Sequence, residues 1–105
     1  MGSDDKREIY YVFMNFDPEY DHLRLDRTKR GAFELDAYLS KKHNDLLARN
    51  LEPGTYKKIC SLVIVDGFAV EISDYQANVL RSAEEARVVE KNQELACLIN
   101  DKGCH

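Results

Sequence analysis

The sequence predicts an α+β fold of the ferredoxin-like, split βαβ type, a four-stranded antiparallel sheet with two helices on one face. Three observations lead there. Segments rich in aromatic and β-branched residues alternate with segments whose apolar residues recur every three or four positions, in the order β-α-β-β-α-β. Asp66-Gly67 separates two apolar runs, a strong short-range hairpin signal. The chain has 105 residues, 44% hydrophobic and 32% charged, enough for one globular domain with a single modest core.

Each element has its own reason. Residues 1–8 are charged and read as a flexible N-terminal arm. "IYYVFMNF" (9–16) is aromatic and β-branched, a strand. Parity alone leaves open which of Tyr10 and Tyr11 points outward. "DPEYDHLRLDRTKRG" (17–31) reads as a long charged connection, with Pro18 near its start and Gly31 at its end. From Ala32 to Asn50 the pattern is helical, with Ala32, Leu35, Leu39, His43 and Leu46 in one stripe, and "LEPGT" ends it.

"YKKICSLVIV" (56–65) reads as the second strand and "FAVEI" (68–72) as its antiparallel partner across Asp66-Gly67. Alternation puts Phe68, Val70 and Ile72 on the buried face and Ala69 and Glu71 on the outer one. Ser73 is placed to cap a second helix, with Gln76 completing a capping box and Ala77, Leu80 and Ala83 facing inward. "ARVVE" (86–90) is the last strand. The domain is expected to span 9–92, and residues 93–105 form a tail without periodicity.

Composition argues against several classes. A net charge of −4 disfavours polyanions, so neither nucleic acid nor an acidic membrane surface is an expected partner. No apolar run approaches the length of a membrane span, and the first eleven residues lack the apolar core of a secretory signal. On sequence alone the expectation is intracellular. Three cysteines form no even framework, so the fold should not depend on disulfides.

G-x-S-x-G, a Walker loop and H-E-x-x-H are all missing, and no catalytic constellation stands out. The expectation is a chain that is not an enzyme and carries neither cofactor nor metal. His43 lies in the helix stripe, where a packed structural histidine is favoured over a ligand or catalytic base. Cys97, Cys104 and His105 lack the paired spacing of a metal site and read as incidental.

One alternative is a single-stranded RNA-binding module. "YVFMNF" and "GFAVEI" resemble the two strand motifs of RNA-recognition domains. Asp66 stands where such a motif has a cation, and outward Ala69 and Glu71 make a poor platform for base stacking.

Taken together, the pieces resemble the propeptide of subtilisin-like serine proteases and the related stand-alone inhibitors. "YYVFMNF" is similar to that family's opening strand and "YLSKKHNDLLA" to its helix. "YKKICSLVIVDGFAVEIS" resembles its signature hairpin, and "SDYQANVLRSAEEARVVEKN" its second helix and last strand. The plant branch, with its long first loop and "GTYKK" before the hairpin, looks most similar. Two departures are Asp66 for the usual Asn and Cys60 for the usual Tyr. The family's junction into the protease domain is replaced by "NDKGCH", so a free-standing inhibitor is expected over an excised piece.

The resemblance implies an inhibitor, and in some cases a folding chaperone, that is monomeric when free. Its partner would be a subtilisin-like serine protease, a class whose members are often secreted. The outer sheet face would dock on the protease through Ala69, Glu71 and Glu90. The tail would lie in the substrate cleft, with Leu98 in the primary pocket, Leu95 in the fourth, and Ala96 and Cys97 between.

Overall fold

A computed structural model describes residues 6–92. Strand β1 runs Arg7–Met14, so it begins inside the segment read as the N-terminal arm. Its burial alternates, with Tyr10, Val12 and Met14 buried and Ile9, Tyr11 and Phe13 half-buried. That parity settles the tyrosines: Tyr10 is inside and Tyr11 outside.

The connection after β1 is not all loop. Asp17 accepts from the backbone of Glu19 and caps α1, Pro18–Leu23, with Pro at its first position. The described residues therefore form three helices. Asp-Pro-Glu is a helix-start signal that the charged composition of the segment concealed. Helix α2 spans Lys29–Asn50, with Thr28 as its N-cap. Ala32 is exposed, contrary to the predicted stripe, and Gly31 takes the inward position, one turn before Leu35 on the same face. Leu35, Leu39, His43, Leu46 and Leu47 complete the buried side.

Strands β2, Lys57–Leu62, and β3, Gly67–Ser73, form the hairpin. The turn is longer than the predicted pair. Leu62 is opposite Gly67, with residues 63–66 between them, and Asp66 takes the left-handed backbone at φ 50°. Gly67 belongs to the strand, where a Cβ would sit 2.6 Å from the Val12 carbonyl oxygen. Helix α3, Asp74–Arg81, carries the full capping box between Ser73 and Gln76. Strand β4, Ala86–Lys91, completes the sheet.

The strand order is β2-β3-β1-β4, all neighbours antiparallel. This is two interleaved split βαβ units, as the ferredoxin-like prediction requires. The inner face carries Tyr10, Val12, Phe68, Val70, Ile72 and Val89, packed against Leu46 and Leu47 of α2 and Ala77 and Leu80 of α3. A smaller cluster of Tyr20, Leu35 and Leu39 joins α1 to α2. The Tyr20 hydroxyl donates to the carbonyls of Val63 and Ile64, tying this cluster to the hairpin turn.

The β2 edge of the sheet is blunted. On β2 the register slips between Lys58 and Cys60, a bulge that twists the edge, and Lys57 and Lys58 add charge. Burial differences set the expected cost of truncation. Phe68→Ala, at a site with 0% exposure, should lose about 3–5 kcal/mol. Phe33→Ala, at 74% exposure, should stay within about 0.5 kcal/mol. Urea unfolding of both variants tests this, and similar losses would contradict the assigned core.

Candidate functional site

The sheet face opposite the core has no covering helix among the described residues. Strand pairing assigns its rows. Cys60, Ala69, Tyr11 and Glu90 share one row across all four strands. Leu62, Gly67, Phe13 and Val88 share the row nearer the hairpin turn. Lys57, Glu71 and Ile9 share the row beyond.

Central strand β1 therefore presents Ile9, Tyr11 and Phe13 as an apolar ridge, with Glu71 on one flank and Glu90 on the other. The expected trio of Ala69, Glu71 and Glu90 does share a face. Ala69, however, is only 3% exposed, because an alanine between Tyr11 and Cys60 lies below the level of its larger neighbours. It offers a partner little area. The aromatic ridge was missed at the level of sequence because a strand of aromatics on both faces hides its own parity. Leu95, Ala96, Cys97 and Leu98 lie outside the described residues.

Behind this face a buried polar network holds the hairpin to the helices. Asp66, at 5% exposure, puts Oδ1 3.0 Å from His43 Nε2, and its Oδ2 accepts from Lys42 Nζ at 2.7 Å. His43 Nδ1 lies 2.8 Å from the Ser61 hydroxyl, and the imidazole stacks on Phe68 with centroids 4.8 Å apart. Lys42 also donates to Asp17 Oδ2 at 2.7 Å, and the Tyr38 hydroxyl donates to the same oxygen at 2.6 Å. One network thus joins β2, the turn, α2 and the cap of α1.

Its protonation states follow from the geometry. Burial lowers the His43 pKa, aided by nearby Lys58 and Lys42 and opposed by Asp66. The His43–Asp66 contact is accordingly a hydrogen bond from a neutral ring and not an ion pair. An ionised carboxylate can only accept, so Nε2 carries the proton and Nδ1 accepts from Ser61. Burial pushes the Asp66 carboxyl upward, but hydrogen bonds from His43 and Lys42 outweigh it and hold the pKa below the usual range. Asp17 is likewise lowered, its burial offset by Lys42 and Tyr38.

This serine, histidine and aspartate array is structural. The imidazole is fully buried and Ser61 lies on the helix-covered side, opposite Phe68. No group of three or more His, Cys, Asp or Glu positioned to hold a metal ion occurs among the described residues.

The lowered His43 pKa makes a pH prediction. Below the ordinary histidine pKa of about 6.5 the unfolded chain takes up a proton that the folded chain refuses, so stability falls as pH falls. Between pH 7 and pH 5.5 this one group should therefore lower the stability. Asp17 and Asp66, lowered in the fold, add a further loss as pH drops through about 4. Urea unfolding at the two upper pH values measures the histidine part, and His43→Gln should flatten it. Equal stability of the parent protein at both would contradict a lowered His43 pKa.

No family model and no solved structure matches the chain. It is 39% identical over 101 aligned residues to the subtilisin-like protease SBT2.5 of Arabidopsis thaliana, a match covering 81% of this chain. The chain spans 12% of the length of that relative. The domain is therefore related to a region of a subtilisin-like protease.

Proposed function

We propose that this domain is a propeptide-like inhibitor of subtilisin-like serine proteases, docking by its uncovered sheet face. The observation that carries the reading is that face itself: an apolar ridge of Ile9, Tyr11 and Phe13 on the central strand, flanked by Glu71 and Glu90. A rigid sheet with aromatic anchors and a charged rim has the anatomy of a protein interface. The similarity to part of a subtilisin-like protease supports the choice of partner.

In this reading Tyr11 and Phe13 supply the contact area. Glu71, and less centrally Glu90, meets the N-terminus of a partner helix, where a carboxylate is favoured by about 0.3–1 kcal/mol. The tail continues from β4 into the substrate cleft as an added strand, with Leu98 in the primary pocket and Leu95 in the fourth. Ala96 and Cys97 lie between them. Assistance to protease folding in trans is a companion activity of the same surface.

A second reading rests on the same aromatics, since Tyr11 and Phe13 on an open sheet could stack bases. Glu71 and Glu90 beside them repel phosphates, which favours the protein partner.

Inhibition of a panel of subtilisin-like proteases tests the proposal. The intact chain should inhibit at least one with nanomolar-to-micromolar affinity, and truncation after Glu94 should weaken it strongly. Tyr11→Lys should cost about tenfold or more, the scale of one interface anchor, at little cost in stability. Full activity of several such proteases with the intact chain would refute the proposal. A salt-sensitive gel shift of single-stranded RNA would instead support the second reading.

A further inference from the structure

Helix α2 opens against its own electrostatics. Its first two residues are Lys29 and Arg30, its first turn holds no acidic residue, and Gly31 follows. Cations at a helix N-terminus oppose the macrodipole, and glycine, which the close approach of Asp26 requires here, is a poor helix former. The one compensating ion pair, Arg30 to Glu34 at 3.4 Å, joins two exposed groups and contributes little. What closes the turn is the Thr28 hydroxyl, which accepts from Gly31 N and donates to Asp26. Every residue from Arg24 to Arg30 is exposed.

The same stretch reads Arg27-Thr28-Lys29-Arg30. We propose that it is a processing site for an endoprotease with acidic subsites, cut between Arg30 and Gly31, with Arg30, Lys29 and Arg27 in the first, second and fourth subsites. The protease serine adds to the Arg30 carbonyl carbon, the C–N bond breaks, and the Gly31 nitrogen leaves with a proton. Water then releases the Arg30 carboxylate.

Comparison with the other adjacent basic pairs singles this one out. Lys41-Lys42 lies inside α2, with Lys42 bound to Asp17 and Asp66. Lys57-Lys58 is paired in the sheet. Lys6-Arg7 enters β1, and Asp4 stands where the fourth subsite needs a cation. Only Lys29-Arg30 combines a basic residue two positions upstream of the pair with an exposed place at a helix end, outside the strands.

The cut separates β1 and α1 from the remaining chain. The β1–α1 piece would then be held only by non-covalent contacts, namely strand pairing, its core side chains and the bonds of Asp17 and Tyr20, so folding becomes bimolecular and concentration-dependent. The scission stands independently of the proposed inhibitory role; that it would switch such a role off rests on that reading.

Timed digestion of the full chain by an endoprotease specific for paired basic residues, read by mass spectrometry, is the test. The first cut within residues 9–92 should follow Arg30. Arg30→Gln should abolish it, and Arg27→Gln should slow it about tenfold, the value of one charge-assisted contact. Thr28→Ala should speed it about fivefold, because cutting tracks the population of the opened turn and an N-cap is being removed. A first internal cut at another pair, or a rate unchanged by Thr28→Ala, would overturn the proposal. Stability of Thr28→Ala measured in parallel separates opening of this turn from global unfolding.

Discussion

The Asp66 carboxylate is the interaction on which the arrangement depends. It sits at the end of the hairpin turn, in left-handed backbone, and accepts from both His43 and Lys42 of α2. A buried carboxylate without partners would be severely unfavourable; with two donors it becomes a specific anchor. Because Lys42 also holds Asp17, the same anchor sets where α1 begins. Turn, long helix and first-loop helix are registered against one another through a single charged group.

That registration has a consequence on the far side of the sheet. With α2 fixed over Phe68 and Ser61, Tyr10, Val12 and Met14 of β1 are committed to the core. Alternation then leaves Ile9, Tyr11 and Phe13 outward, on a face the helices do not reach. The candidate docking surface is thus a by-product of core registration. Its rigidity comes from the central position of β1, which pairs on both sides.

Local frustration is concentrated at the other end of α2. A helix that satisfies its buried stripe so fully begins with two cations and a glycine. The glycine has a packing reason, because a Cβ there would collide with Asp26, but the two cations have none, and for them a functional demand is the physical explanation to consider first. Here the contrast lies within one element, between a terminus latched by Thr28 and an interior locked by His43 and Lys42.

Sequence by itself determined the order of the four strands and the two main helices, the hairpin, the capping box at Ser73 and the inward set Phe68, Val70 and Ile72. Each follows from periodicity or from contacts a few residues apart, which the chain encodes locally. It placed His43 in a packed position but could not name its partners, Ser61 and Asp66, which lie eighteen and twenty-three residues away. It also masked α1 beneath charged composition and left the direction of Tyr11 open, since aromatics on both faces erase the alternation signal. Those outcomes were decided only by the tertiary structure, because strand parity and the pairing of a buried carboxylate depend on which surfaces meet across the fold.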